Sequence, residues 1–282
     1  MGYLYIFPAY VFFVIFVLYP IVYGIIASFR DWGSRVGERG IFVGFSNYVK
    51  LFSDYVFWLS FRNTWIYVFV ATVITCCLGL FLALLLERPL RGLQSMRGII
   101  FFPYLLPWAA VAMIWAWLLS PNYGLINAIL NINIDWLRRP ETALWALIFI
   151  YSWKMIGYTF IFFLAGLQVI PQSLHEAAIV DGASPLQRLL HITFPLLTPT
   201  LFFLILISIT TALQSIDLVY ILTRGGPANS TNMLIYYIYQ QTFRYGNWNK
   251  GYAANSILLF MLLCFTIAYF KILERKVHYE LI

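Results

Sequence analysis

An all-α polytopic membrane protein with six transmembrane helices is the fold class predicted for this chain, and three observations predict it. Hydrophobic residues make up 62% of its 282 positions and charged residues 10%, against about 25% charged in soluble domains. The apolar residues form continuous blocks, not the alternating segments of about ten residues expected of barrel strands. Six blocks reach the roughly 20 residues needed to cross about 30 Å of hydrocarbon, where a backbone without water must satisfy itself, as a helix does.

In order, the predicted spans cover approximately 5–29, 64–86, 98–119, 143–167, 200–222 and 252–273, within a single domain of residues 1–282. The first, "YLYIFPAYVFFVIFVLYPIVYGIIASF", lacks a basic leader and a small-residue cleavage site and reads as a retained span. Pro8 and Pro20 in the first block, and Pro103 and Pro107 in the third, should bend those helices or mark their ends. The first loop, about 30–63, mixes aromatics with charge, a pattern for a small amphipathic helix at the membrane surface. "SPNYGLIN" and "LTRGGPANS" are turn-rich exits from the third and fifth spans.

Six spans place both termini on one side. Lys and Arg are spread almost evenly between the two sets of loops. Only "ERPLRGLQSMR" and the tail "KILERKVHYE" are locally dense, which leans the even loops toward the cytoplasm. The net charge of +7 forms no basic stripe, so membrane-flanking charge is expected and nucleic acid is not a partner. Cys76, Cys77 and Cys264 lie in apolar blocks and suit small buried residues better than a metal or disulfide framework.

Between the fourth and fifth spans, 168–199, lies a less apolar insert: "QVIPQSLHEAAIVDGASPLQRLLHITFPLLTP". Ser173 to Glu176 spells a capping box behind Pro171, and Ser184 to Gln187 spells a second with Pro185 at the first helical position. Gly182 falls where a left-handed residue would end the first helix. Two short helices joined at Gly182 and closed by Pro195 are predicted. Ala177 and Ala178 keep one surface slim, and Glu176 offers a carboxylate near a helix N-terminus. Such a pair could lie in a groove of another protein or rest on lipid headgroups; the residues alone leave both open.

Polar residues within spans are candidates for a transport path. The fifth block is richest, with Gln214 and Asp217 three apart on one helical face and Tyr220 beyond them. Lys154 and Tyr158 lie in the fourth block and Asn255 in the sixth. The reading adopted is that Gln214, Asp217, Tyr220 and Asn255 line a pathway. The competing reading has these groups satisfying one another between helices, Asp217 with Lys154.

The chain carries no G-x-x-x-x-G-K-[ST] cradle for ATP, and His175, His191 and His278 lack ligand spacing, so no enzyme, cofactor or metal site is expected. An energy source must come from a partner, or from an ion gradient. Secondary transporters often show inverted repeats and broken helices, and neither is read here.

Glu176-Ala177-Ala178, then three residues, Gly182, then nine residues, and Ile192-Thr-Phe-Pro195 resembles the EAA loop of binding-protein-dependent ABC importer permeases of the carbohydrate-uptake type. Phe194 stands where the family usually has Leu. "GFSNYVKLF", "FRNT", "RGIIFFPYLLP", "LQSIDLVYILTRGGP" and "GYAANSILLF" are similar to the same family, so the resemblance covers nearly the whole chain. It implies the type I importer permease fold in a cell inner membrane, with termini and EAA loop cytoplasmic. It also implies a partner ATPase that binds ATP and Mg, a second homologous permease as heterodimer partner, and an extracytoplasmic solute-binding protein. By the same resemblance Glu176, Ala177, Ala178, Asp181, Gly182, Ile192 and Pro195 form the ATPase-coupling surface.

Overall fold

A computed structural model describes residues 2–33, 40–87 and 92–273. The dense tail and part of the second loop, on which the inward lean of the even loops rests, fall outside those residues. Four helical segments are long and apolar enough to span a membrane: Tyr5–Ser28, Tyr55–Leu86, Pro140–Val169 and Trp248–Lys271. Two bent pairs, Gln94–Leu105 with Trp108–Leu118 and Pro185–Leu196 with Thr198–Leu213, turn by 100° and 65°. Counting each pair as one span gives the six predicted.

The first span joins α1 (Gly2–Phe13) to α2 (Tyr19–Ser28) through a π-helical turn at Val14–Leu18. Tyr19 N–H reaches Val14 O, which absorbs the bond that Pro20 cannot donate and the room its ring needs. Pro20 therefore neither ends nor sharply breaks the helix. Outside the membrane follow a two-residue ladder, β1 (Arg30–Asp31) with β2 (Ile41–Phe42), and α3 (Ser46–Phe52), the small surface helix predicted in this loop. The second span, α4 (Tyr55–Leu86), starts nine residues earlier than expected because Asp54 caps it, accepting from Val56 N–H at 2.9 Å.

The third span is α5 (Leu93–Leu105) and α6 (Trp108–Leu118), followed by the short α7 (Leu125–Leu130). The fourth is α8 (Pro140–Val169), and the insert holds α9 (Gln172–Val180), α10 (Pro185–Arg188), a π turn at Leu189–Thr193 and α11 (Phe194–Leu196). The fifth is α12 (Thr198–Leu213), which unwinds at Gln214–Ile216 and resumes through a π turn at Val219–Thr223. The third span bends at Pro103 and Pro107 as expected, whereas the interruption of the fifth overturns the reading that no helix is broken. An outer segment carries α13 (Leu234–Tyr239) before the sixth span, α14 (Trp248–Leu273).

Helices α4 and α8 form the axis of the bundle, and small residues set their spacing. A Cβ at Gly79 would collide with Thr159 Oγ1 and lie 2.8 Å from its Cβ. Thr159 donates to Thr75 O at 2.7 Å across the same contact. A Cβ at Gly157 would lie 2.6 Å from Ile100 O, and one at Gly166 would lie 2.6 Å from Thr200 Oγ1. So α5 and the start of α12 both rest on α8 at glycines. At the outer end, Asn63 Nδ2 donates to Asn229 O and Asn232 O, and Thr64 Oγ1 accepts from Leu234 N–H. Lys250 pairs with Asp54 at 2.7 Å, tying the outer ends of the second and sixth spans. Burial acts to raise the Asp54 carboxyl, but the Lys250 ammonium, the Tyr237 hydroxyl and Val56 N–H outweigh it and hold it below the usual carboxylate range.

Candidate translocation cavity and coupling surface

The two interrupted spans meet on α8. Lys154 lies fourteen residues into that helix, about 21 Å along it at 1.5 Å per residue, which is near mid-membrane. Around it opens a cavity of about 540 Å³. The break in the third span contributes Tyr104, Leu105 and Trp108; α8 contributes Tyr151, Lys154 and Met155; the unwound end of α12 contributes Thr211, Gln214, Ser215 and Asp217.

Its walls are aromatic and its mouth polar. Trp108 stacks on Tyr151, ring centres 5.5 Å apart and 8° from parallel. The Tyr151 hydroxyl bonds Thr211 Oγ1 at 3.0 Å, and the Tyr67 hydroxyl bonds Ser215 Oγ at 3.4 Å. These two bonds flank Gln214 and hold the unwound turn in place, the arrangement that lets irregular backbone exist at membrane depth. Gln214 and Asp217 are both exposed to the cavity side. They share it although the helix that should have aligned them is broken between them.

Two of the four predicted pathway residues stand elsewhere. Tyr220 packs against Tyr239 and Tyr236, at 5.4 and 6.4 Å between ring centres. Asn255 faces the first span, its Nδ2 3.8 Å from where a Gly24 side chain would begin. The Asp217–Lys154 pair of the competing reading is not formed. Among the described residues the ion pair is Lys250–Asp54, and Lys154 Nζ is directed to main-chain oxygens of Tyr104, Leu106 and Pro103 at 2.6, 2.7 and 3.4 Å. Sequence reading missed Tyr104, Trp108 and Tyr151, because aromatics inside an apolar run look like core. The signal available was "PYLLPW", two prolines four apart bracketing a mid-span break.

The insert forms the second surface. Helix α9 ends in a Schellman motif: Ala183 N–H reaches Ala178 O at 2.9 Å and Gly182 N–H reaches Ile179 O at 3.0 Å, with Gly182 at φ +77°. The Ser184–Gln187 capping box is present in both directions, at 2.8 and 3.4 Å. The first predicted box is not. Pro171 occupies the N-cap, Ser173 lies inside the helix, and Glu176 is its fifth residue, away from the positive end. The second helix ends at Leu196, one residue past Pro195, so the predicted close holds to within a residue. A π turn carries Phe194 N–H to Leu189 O, the same register before proline as in the first span. The chain then runs into α12 through a 65° bend at Leu197.

Glu176, Ala177, Asp181 and Gly182 are exposed, while Ala178, Ile192 and Pro195 are half-buried. No residue of α9 or α10 is buried, and Ile179, Val180, Leu186 and Leu190 all stand in the open. Four exposed apolar side chains on one short polar hairpin mark a surface suited to a partner.

The family model for the inner membrane component of binding-protein-dependent transport systems matches residues 75–279. The sulfoquinovosyl glycerol transport permease of Agrobacterium fabrum is 34% identical over 273 residues, covering 95% of this chain and 89% of the relative. The sn-glycerol-3-phosphate transport permease of Yersinia pestis is 34% identical over 248 residues, covering 86% and 84%. A bacterial alginate ABC transporter, solved with its alginate pentasaccharide-bound periplasmic protein, shares the fold at a TM-score of 0.85 and 23% identity, over 97% of this chain and 93% of that one. With its six apolar spans and exposed hairpin, the chain belongs to the family of binding-protein-dependent transport system inner membrane components and is a multi-pass transport subunit, not an enzyme.

Proposed function

We propose that this chain is one of two homologous permease subunits of an ATP-driven importer that moves a sugar or related polyol delivered by an extracytoplasmic binding protein. The cavity at the two broken spans carries the reading: stacked aromatic faces beside a free carboxylate and a free amide suit a ring with many hydroxyls. The relatives' named substrates, a sulfoquinovosyl glycerol and a glycerol phosphate, are of this polyol-bearing kind. The exposed hairpin, with Glu176 as its charged contact, Ala177, Ala178 and Asp181 beside it, and Gly182, Ile192 and Pro195 shaping it, is the surface for a cytoplasmic ATPase, which binds ATP and Mg. The even loops and both termini then face the cytoplasm.

An ion-coupled transporter would also use broken spans, so energy source is the deciding measurement. In vesicles holding the complete complex, uptake should require internal ATP and persist when ion gradients are collapsed. Asp217→Asn with Gln214→Ala should reduce uptake at least tenfold. Uptake driven by a gradient without ATP sinks the importer; unchanged affinity and uptake in the double variant make the cavity face structural.

A further inference from the structure

We infer that Lys154 is a positioning residue: its ammonium caps the broken end of the third span and thereby sets the aromatic wall of the cavity. The main-chain account leads there. Pro107 has no N–H to give Pro103 O, which takes a long bond from Leu106 N–H at 3.3 Å instead, and the turn into α6 removes the Trp108 N–H that would otherwise reach Tyr104 O. Leu106, extended at ψ 140°, carries its carbonyl away from either helix. Carbonyls stranded this way at membrane depth must find a donor. Lys154 is 4% exposed, and its Nζ meets Tyr104 O at 2.6 Å, Leu106 O at 2.7 Å and Pro103 O at 3.4 Å. An ammonium has three donors, and three carbonyls take them.

The same helix face provides the approach. Gly157 lies one turn from Lys154, and its missing side chain lets α5 backbone reach α8. The charge also stands 4.8 Å from the centre of the Trp108 ring and 5.2 Å from that of Tyr104, so one group fixes both the main chain and the rings of the break. With its donors committed to carbonyls, Lys154 acts as a clamp, neither as partner to Asp217 nor as an ion carrier.

Three substitutions separate a donor from a charge and from mere bulk. Packing alone predicts that Lys154→Met, the closest apolar shape, is tolerated best. A charge requirement predicts that Lys154→Gln and Lys154→Met fail alike and Lys154→Arg alone works. A clamp predicts that Gln, with two N–H donors, retains more than Met. The experiment is hydrogen–deuterium exchange of the complete complex in nanodiscs, read over residues 104–111 and, as control, over 142–150 of α8. It needs no substrate, so it is independent of the reading of the cavity. The expected result is exchange at least tenfold faster over 104–111 in Lys154→Met, an intermediate rate in Lys154→Gln, and an unchanged control segment; the KM for uptake should rise in the same order. Wild-type exchange in Lys154→Met, or equal exchange in the Gln and Met variants, overturns the inference.

Discussion

Replacing Gly79 by Ala should destabilise the bundle, although alanine is the better helix former. The added Cβ would collide with Thr159 Oγ1 and lie 2.8 Å from Thr159 Cβ and 3.1 Å from Phe160 N. Thr159 is fully buried and has no open space to enter. Overpacking of this kind costs about 1–3 kcal/mol. Displacing Thr159 also strains its 2.7 Å bond to Thr75 O, and such interhelical bonds contribute about 0.6 kcal/mol on average in membranes. Against this, alanine gains roughly 0.5–1 kcal/mol over glycine in a helix interior. The net is a loss of about 1–3 kcal/mol. Gly98 in α5 is the control, since a Cβ there meets nothing within 4 Å, and Gly98→Ala should be neutral or slightly stabilising. Denaturant titration of the purified chain in mixed micelles measures both. Equal stability of the two variants would refute the claim that α4 and α8 are in contact at a glycine.

Removing the Glu176 carboxylate (Glu176→Ala) should lower ATP-driven uptake at least tenfold and leave melting temperature within a degree, because the side chain is exposed; a matching loss of stability would point to a folding role. Gly182→Ala meets no neighbouring atom but must hold φ +77°, so it should cost about 1–2 kcal/mol of local hairpin stability, seen as faster amide exchange at Ala183. Asp54 has a folded-state value lowered from 3.8. Its contribution is therefore complete above the unfolded value and lost as pH falls through the folded one. Thermal scans from pH 7 to 3 should show that acid limb below about the ordinary carboxylate value, and Asp54→Asn should shrink it to the share left by Asp31, whose carboxyl is likewise lowered by Gly33 N–H and Asn249.

The spans were legible because apolar blocks of sufficient length have one solution in a bilayer. Their interruptions were legible only where proline marked them. Pro103 and Pro107 announce the third-span break, while nothing in "LQSIDL" announces the fifth, which is held by hydroxyls from Tyr67 and Tyr151 on neighbouring helices. Pro20 looks like a helix end and is not, since a π turn ahead of it accommodates the ring, while Pro195, behind a similar π turn, stands one residue before a real end. Gln214 and Asp217 were found by polarity within a span. Asn255 shows the weakness of that signal, because polarity does not say which neighbour a helix face meets, and its neighbour is the first span. In the insert, local chemistry was sufficient at Gly182 and Ser184. It failed at Ser173, where Pro171 took the cap two residues earlier.

The bend at Leu197 has a mechanical consequence. Main-chain bonds brace it on both sides, Leu197 N–H to Thr193 O at 2.9 Å and Leu201 N–H to Leu197 O at 2.8 Å, and where Pro199 has no N–H to give, Thr198 Oγ1 donates to Pro195 O at 2.7 Å, so the two helices form a braced crank. Its short arm, Pro185–Leu196, is about 18 Å long and its long arm, Thr198–Leu213, about 24 Å at 1.5 Å per residue. Leu197 and Thr200 bear on Gly166 of α8, which serves as the fulcrum. Turning as one body about that fulcrum, the crank would convert roughly 2 Å at the tip of the short arm into about 2.7 Å at Gln214, in the ratio of the arms.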